Sequence, residues 1–246
     1  MALTLLITGT DTEVGKTFVC VGLITALTRM GFRVGPFKPA ETGCLRDAAS
    51  GALIPADARL LESASGTSAR LETICPYQYA LPVAPWVAAE KEHRPINVAV
   101  LDHCLQQLQS SHDCVLVESA GGLLVPLAID LTFADLARHW KIPVLVVAGS
   151  RLGALNQTLL TVRYLEHAGL SIAGCVLNHP FGDSQATSLP PIHQPALESN
   201  AATLRRLLSC LVWEVPFAGN QPASDLNATF DGIADHLVAT LHRTKS

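Results

Sequence analysis

The sequence predicts a doubly wound α/β fold, in which helices cover both faces of a mainly parallel sheet. Three observations lead to this prediction. Short runs typical of β-strands alternate along the chain with segments of helical periodicity. The runs "VLVES" and "VLVVA" are apolar without alternation, as expected for strands that are buried on both faces. A glycine-rich loop follows the first run, where strands of such sheets end and ligands bind.

The elements follow one another in a regular order. We expect strands at 3–8, 32–38, 113–119, 142–149, 171–178 and 211–216, and helices at 16–30, 56–64, 97–109, 155–168, shortly before 211, and from about 226. Gly31 ends the first helix, and Pro39 keeps Lys38 extended, so that no helix starts there. The chain is less regular from there to about residue 95. Residues 179–196 form a loop rich in Pro, Ser and His.

Composition narrows the class of protein. The chain has 246 residues and a mass of 26.1 kDa, which suits one α/β domain spanning 1–246. A net charge of −4 and no basic block argue against a nucleic-acid surface. Seven cysteines without a C-x-x-C pair fit reduced thiols in the cytosol. No apolar run approaches the roughly 18 residues that span a bilayer, so we expect no membrane segment.

The polar and glycine-rich features of the chain fall where predicted strands end. These ends read "GTDTEVGKT", "KPAETG", "ESAGG", "GSRLG", "NHP" and "PFAG". Because the carboxyl ends of parallel strands meet at one edge of a sheet, we expect these segments to surround a common ligand site.

The first of these ends resembles a phosphate-binding loop of the P-loop NTPase type. Five residues separate Gly9 from Gly15, where the usual pattern has four, and "GKT" is intact. Backbone N–H groups of such a loop hold phosphate oxygens, the lysine reaches the β- and γ-phosphates, and the threonine hydroxyl ligates Mg²⁺. Lys16 and Thr17 are the residues concerned. The alternative is a tight turn between strand and helix that binds no ligand.

Two further strand ends carry charged side chains. Lys38 follows the second strand, from which its ammonium would cross the same crevice. The alternative is a solvated surface lysine. Glu118 ends a buried strand before Gly121 and Gly122, in the position of the acidic metal partner of nucleotide hydrolases. The alternative is a helix cap or an ion pair at the edge of the core.

The segments "GTDTEVGKT", "KPAETG", "PADARLL", "VESAGGLLVP", "SRLGALNQTLLT" and "AGCVLNHP" resemble the dethiobiotin synthetase family over about residues 4–218. The resemblance implies an ATP-dependent ligase that closes the ureido ring of dethiobiotin from 7,8-diaminopelargonate and CO2 or bicarbonate. One amine is carboxylated, the carbamate attacks the γ-phosphate of ATP, and the second amine closes the ring on the mixed anhydride and releases phosphate.

The resemblance also implies site residues. Thr12, Lys16 and Lys38 match catalytic positions, with Lys38 facing carbamate and γ-phosphate. Thr17, Asp57 and Glu118 match the Mg²⁺ ligands, and Thr42, Gly153 and Asn156 match substrate-binding positions. The positions matching the ATP site are Glu13, Val14, Gly15, Lys16, Thr17, Phe18, Asp57, Glu118, Ser119, Ala120, Gly121, Asn178, His179, Pro216, Phe217 and Ala218. Of these, Asn178 matches the residue that reads adenine. Ser119 stands where the family commonly has glycine, and His179 where it often has aspartate.

The acids of the loop, Asp11 and Glu13, need a cation if they face phosphates. An acid about 4 Å from a phosphate costs about 4 kcal/mol at an effective dielectric near 20. We expect at least one to point toward the substrate amines or the ribose. For Asp11, capping of the loop's own N–H groups is an equal alternative.

The resemblance further implies a homodimer, with the substrate pocket near its two-fold interface. Two other functions remain open from the residues. A partition-type ATPase switch would carry an extra lysine near Thr10 or Asp11 and a basic surface, and the sequence has neither. An amidoligase of related fold usually carries a glutaminase domain, for which 246 residues leave no room.

Overall fold

The structure is a computed structural model that describes residues 2–179, 194–217, 219 and 223–243. Its strands are β1 (Leu3–Gly9), β2 (Val34–Phe37), β3 (Ala40–Glu41), β4 (Leu45–Arg46), β5 (Leu53–Ile54), β6 (Tyr77–Gln78), β7 (Cys114–Gly122), β8 (Pro126–Ala128), β9 (Leu131–Thr132), β10 (Val144–Gly149), β11 (Ile172–Asn178) and β12 (Val212–Val215). Its helices are α1 (Lys16–Arg29), α2 (Ala56–Ser65), α3 (Leu71–Ile74), α4 (Pro85–Lys91), α5 (Val98–Ser111), α6 (Phe133–Trp140), α7 (Ala154–His167), α8 (Gln194–Leu207) and α9 (Ala223–Arg243).

Six strands form one parallel sheet in the order β12-β11-β10-β1-β7-β2. After β1 the chain runs outward to β2, returns to β7 beside β1, and then continues on the other side through β10, β11 and β12. The strand order therefore reverses at β1, and ligands bind in the crevice beyond such a switch point. The predicted doubly wound parallel fold is confirmed.

Helices bury both faces of this sheet. Successive side chains of β1 point to opposite faces, so Leu5 and Ile7 belong to one core and Leu6 to the other. The core around Leu5 and Ile7 is completed by side chains of α1, α2 and α9. The core around Leu6 is completed by α5, α6, α7 and α8. Burial on both faces explains why these strands read as continuous apolar runs.

The elements of the sheet lie within a few residues of their predicted bounds, whereas several short elements were not predicted. These are α3, α4 and α6 and the two-stranded pairs β3–β6, β4–β5 and β8–β9. The predicted loop at 179–196 lies mostly outside the described residues, but α8 already begins at Gln194. Among the described residues, no helix is both long and apolar enough to cross a membrane.

Candidate active site

The carboxyl ends of β1, β2 and β7 border a cavity of about 360 Å³. We call it the loop cavity. It is lined by Thr12, Glu13, Gly15, Lys16, Thr17, Lys38, Glu41, Thr42, Asp57, Ala120 and Gly121. The structure thus brings together ten residues that were predicted from the sequence, and it adds Glu41.

The glycine-rich loop owes its shape to Gly15, which precedes the first turn of α1. Gly15 has a φ of 90°, and a Cβ atom there would lie 2.2 Å from Nδ2 of Asn178. That amide group donates a 3.0 Å hydrogen bond to the carbonyl oxygen of Val14. The loop is therefore closed against the end of β11 through a position that only glycine fits. Lys16 is buried, and its Nζ donates to the carbonyl oxygen of Asp11 at 3.0 Å.

Lys38 lies in the centre of the site with two carboxylates. Its Nζ is 2.6 Å from Oε1 of Glu118 and 2.8 Å from Oδ2 of Asp57. Burial alone would lower the pKa of Lys38, but the two carboxylates outweigh it and raise that pKa well above its ordinary value. The pKa of Asp57 is lowered although burial opposes this, because the Lys38 charge favours the ionised carboxylate. Lys38 is therefore a buried ammonium, not a solvated surface lysine.

Of the three residues predicted to hold Mg²⁺, Thr17 and Asp57 line the loop cavity, and the buried Glu118 lies directly behind it, in contact with Thr17 and Lys38. Thr17 donates its hydroxyl proton to Oε1 of Glu118 at 2.8 Å, which leaves its oxygen lone pairs available. Glu118 is fully buried, and its Oε2 has no hydrogen-bond partner among the residues that the structure describes. An orphaned carboxylate oxygen beside a hydroxyl and a second acid, Asp57, is an oxygen donor set that fits Mg²⁺.

This set is small. Within the described ranges, no group of three or more His, Cys, Asp or Glu side chains is placed to hold a metal ion. A site with two carboxylates and one hydroxyl leaves positions for water and phosphate oxygens, as is usual for Mg²⁺ in nucleotide-binding sites.

The two acids of the loop, Asp11 and Glu13, have different surroundings. Asp11 accepts hydrogen bonds from its neighbour's N–H, that of Thr12, at 2.8 Å, and from Arg151 at 2.7 Å and Gln157 at 3.1 Å. The N–H of Thr12, together with the Gln157 and Arg151 side chains, holds the pKa of Asp11 below its usual value. Its charge is therefore compensated within the chain. Glu13 is exposed at the rim of the loop cavity with a left-handed φ of 56°.

The predicted adenine side of the site lies at the ends of β11 and β12. Asn178 is buried, and its Oδ1 has no hydrogen-bond partner in the described part of the chain. Nε2 of His179 is 2.9 Å from Oε1 of Glu214, whose other oxygen accepts from Arg205 at 3.3 Å. This contact directs the imidazole toward β12. Pro216 and Phe217 follow β12, and Ala218 lies outside the described residues.

Some predicted nucleotide-binding residues have mainly structural contacts. Val14 is buried and belongs to the core around Ile7. Phe18 packs edge-on against Phe230 of α9 with ring centroids 5.9 Å apart, and it does not line the loop cavity. The Ser119 hydroxyl is buried, 3.1 Å from Oγ1 of Thr8 and 2.9 Å from the carbonyl oxygen of Gly121.

The remaining two predicted substrate residues, Gly153 and Asn156, are exposed at the start of α7 and do not line the loop cavity. Beside the loop lies a second cavity of about 420 Å³, which we call the side cavity. It is lined by Gly9, Thr10, Asp11, Thr12, Gly122, Leu123, Leu124, Val125, Pro126, Leu160, Thr161 and Tyr164. Thr12 lines both cavities, so the two adjoin at the loop.

Glu41 and the side-chain partners of Asp11, which are Arg151 and Gln157, were not predicted as site residues. Glu41 accepts hydrogen bonds from the N–H groups of Asp57 at 3.0 Å and Ala58 at 2.9 Å. The carboxyl group belongs to β3, and the N–H groups belong to α2. The sequence held one relevant signal, namely that "KPAETG" places an acid between two predicted site residues.

Solved structures share this fold. The cell division ATPase MinD of Pyrococcus furiosus matches with a TM-score of 0.53 and 18% identity, over 98% of this chain and 100% of that one. The MinC:MinD complex of Aquifex aeolicus gives a TM-score of 0.51 and 14% identity, over 99% of this chain and 96% of that one. At such low identity, these likenesses concern the fold alone.

Sequence relatives identify the family. A family model described as an AAA domain matches residues 3–213. The chain is 42% identical to the ATP-dependent dethiobiotin synthetase of Anaeromyxobacter dehalogenans (strain 2CP-C) over 87% of this chain and 92% of that protein. It is 32% identical to ATP-dependent dethiobiotin synthetase BioD 1 of Escherichia coli (strain K12) over 93% of this chain and 96% of that one. The chain therefore belongs to the ATP-dependent dethiobiotin synthetase family.

Proposed function

We propose that this protein is an ATP- and Mg²⁺-dependent ligase of biotin biosynthesis that forms dethiobiotin from 7,8-diaminopelargonate and CO2. Membership of the family supports the reaction class. The observation that carries the proposal is the convergence of two buried lysines, Lys16 and Lys38, with Asp57 and Thr17 at the loop cavity, where the buried Glu118 contacts Lys38 and Thr17. Such a site has cations for a polyphosphate and oxygen ligands for its metal ion.

The reaction proceeds in three steps in this proposal. A nitrogen of the substrate attacks the carbon of CO2 and loses a proton, which gives a carbamate. A carbamate oxygen attacks the γ-phosphorus, and the bond from that phosphorus to the bridging oxygen of ADP breaks. The second amine attacks the carbamate carbon, the bond from that carbon to the phosphate oxygen breaks, and inorganic phosphate leaves with that oxygen.

Each predicted catalytic residue has a task in this sequence. The buried ammonium of Lys16 holds the β- and γ-phosphates before and during transfer. Lys38 stabilises the negative charge that develops between carbamate and γ-phosphate, and Thr12 and Thr42 orient the substrate from the cavity wall. Mg²⁺ bound to Thr17, Asp57 and Glu118 would neutralise phosphate charge. The loop N–H groups at Glu13 to Thr17 complete the phosphate site, and the free Oδ1 of Asn178 accepts from the amino group of adenine.

The substrate itself has a diamine at one end and a carboxylate at the other, joined by an apolar chain. We infer that the diamine lies at Thr12, where both cavities meet, and that the chain lies along the side cavity, whose walls include Leu123, Leu124 and Leu160. The substrate carboxylate is then held by backbone N–H groups at the start of α7, at Gly153 and Asn156.

A homodimer would cover this region. Leu124 and Leu160 line the side cavity and are 50% and 65% exposed, which is unusual for neighbouring leucines of a monomer's surface. We infer that a second copy of the chain packs there. Seven free cysteines, of which six are buried, fit a reducing compartment, so we infer the cytosol.

The decisive experiment measures products with ATP, Mg²⁺, bicarbonate and 7,8-diaminopelargonate. We expect one phosphate for each dethiobiotin, and little phosphate without the diamine. With ¹⁸O-labelled bicarbonate, sampled before exchange with water, one label should appear in each phosphate, because the carbamate oxygen leaves with phosphorus. ATP hydrolysis at the same rate with and without the diamine would contradict the ligase activity. Unlabelled phosphate during ring closure would contradict the anhydride intermediate.

A further inference from the structure

Glu41 lines the loop cavity, and its charge has no part in the reaction proposed above. Its side chain is buried, and Lys38 and Thr42 line the same cavity. Both of its carboxylate oxygens are used: Oε1 accepts from the N–H of Asp57 at 3.0 Å, and Oε2 from the N–H of Ala58 at 2.9 Å. Glu41 therefore satisfies two of the free N–H groups at the start of α2.

The helix has no other cap. Its N-cap residue is Pro55, which makes no side-chain hydrogen bond to the helix. A carboxylate from another element thus takes the place of a local capping residue, and its negative charge also suits the positive end of the helix dipole. Such a cap joins α2 to β3, two elements that are not adjacent in the sequence.

The capped turn contains a predicted metal ligand. Glu41 binds the backbone N–H of Asp57, and the carboxylate of that same residue contacts Lys38 at 2.8 Å. The backbone of Glu41 is itself fixed, since its carbonyl oxygen accepts from the N–H of Tyr79 at 2.9 Å and β3 pairs with β6. The Asp57 carboxylate is half-exposed, so beyond its polar contacts with Lys38 and Thr17 its position depends on the backbone of this turn.

We propose that Glu41 is a positioning residue, whose two-oxygen cap on α2 holds Asp57 opposite Glu118 in the geometry that the Mg²⁺–ATP complex requires. The inference rests on the proposed function. It concerns a residue that acts through Asp57 and does not itself touch the metal ion or the substrate.

Glu41→Gln tests this inference with little change of shape. Glutamine keeps one oxygen acceptor, but its NH2 group then faces a backbone N–H, so one of the two cap bonds is lost. We expect the affinity for Mn²⁺ in the presence of a non-hydrolysable ATP analogue, measured by electron paramagnetic resonance, to fall about 10-fold, as is typical when the support of a metal ligand is removed. The Mg²⁺ concentration for half-maximal rate should rise similarly, while kcat at saturating Mg²⁺ changes little.

Asp135→Asn is the matched control. Asp135 also stabilises a helix start, as the acid of the α6 capping box, by accepting from the N–H of Thr132 at 2.9 Å and from its hydroxyl at 2.6 Å, and it does not line the loop cavity. We expect this variant to lower the melting temperature without changing the affinity for Mn²⁺. If Glu41→Gln behaves like Asp135→Asn, with lower stability and unchanged Mn²⁺ affinity, Glu41 supports the fold alone and the inference is wrong.

A second variant and a measurement on the wild-type protein complete the test. If Glu41→Gln does not fold, Glu41→Asp retains the charge but is too short to reach both N–H groups, and its Mn²⁺ affinity must fall in the same way. Wild-type protein that binds Mn²⁺ with the ATP analogue but forms no dethiobiotin would contradict the proposed function. The comparison between Glu41→Gln and wild type in Mn²⁺ binding would remain valid.

Discussion

At the scale of single residues, Lys38 has contacts that no ordinary surface lysine has. Its ammonium is buried and lies within 2.8 Å of both Asp57 and Glu118. In the proposed mechanism, the charge that develops in the anhydride-forming step is negative, so a fixed ammonium stabilises the transition state more than the ground state. This is the condition under which a residue raises kcat and not merely binding.

We therefore expect Lys38→Gln to lower kcat by on the order of 10²-fold or more. The dissociation constant for ATP should change far less than in Lys16→Gln, because Lys16 holds phosphates in both states. Lys38→Arg should also be slow, since a planar guanidinium does not fit the place of a compact ammonium. Single-turnover ring closure and calorimetric ATP binding measure the two effects separately.

The same variant gives a second readout. Loss of the ammonium leaves Asp57 and Glu118 without their cation, so nucleotide-free Lys38→Gln should bind Mn²⁺ more tightly than wild type and melt at a lower temperature without metal. Near-normal turnover in Lys38→Gln would show that the lysine has no catalytic role. Unchanged Mn²⁺ binding would show that lysine and metal ion do not compete.

The sequence predicted that Lys16, Lys38, Asp57 and Glu118 belong to one site, and the structure places them together. Lys16, Lys38 and Glu118 were predicted from strand ends, whereas Asp57 was predicted only from the family resemblance. Glu41 and Asp11 were harder. The partners of Asp11 are Arg151 and Gln157, about 140 positions away, and such contacts exist only after the sheet has formed. No local pattern predicts them.

At the scale of elements, the turn from β1 into α1 depends on a glycine for two separable reasons. Gly15 has a φ of 90°, and its Cβ position is only 2.2 Å from the Asn178 amide. Gly31, at the other end of α1, has the same φ of 90° but nothing within 4 Å of its Cβ position. The two glycines therefore allow backbone strain to be measured apart from steric contact.

We expect Gly31→Ala to cost about 1–2 kcal/mol of unfolding free energy, the usual penalty for a left-handed alanine. Gly15→Ala should cost more and should also weaken ATP binding strongly, since Asn178 must move away from Val14. Chemical denaturation and calorimetry on both variants check this. Equal losses of stability with intact ATP binding would show that the loop tolerates displacement of Asn178.

Long periodic elements were predictable, and short ones were not. Strands such as β10 are buried on both faces and carry a strong apolar signal, whereas β3 and β6 have two residues each and no periodicity to detect. Helix α6 did have a signal, because Thr132 and Asp135 form a capping box. The helix behind it is only eight residues long, which is too short to show a clear helical period.

At the scale of the whole molecule, the alternation of strands and helices was enough to predict the parallel sheet, but not its surroundings in an assembly. Leu160 is 65% exposed beside the side cavity, and Leu211 is 51% exposed at the opposite, amino-terminal end of the strands. Sequence hydropathy does not distinguish these two leucines. Only their positions in the fold do.

We expect Leu160→Glu to shift the protein from dimer to monomer in sedimentation velocity and to raise KM for 7,8-diaminopelargonate, because a buried charge opposes association. Leu211→Glu should change neither the oligomeric state nor the KM for 7,8-diaminopelargonate. A wild-type monomer would contradict the dimer directly, and a Leu160→Glu variant that remains dimeric would move the interface elsewhere.

The ammonium of Lys38 also bears on how the protein exists between turnovers. Two acids held close together in a protein interior repel each other, and some small metal-binding domains fold only once their metal ion has bound. Here a side chain of the same polypeptide does so, at 2.6 and 2.8 Å. The empty enzyme thus carries its own counter-ion. In the proposed function, dependence on magnesium then belongs to the reaction and not to the maturation of the protein, and we expect the metal-free protein to remain folded.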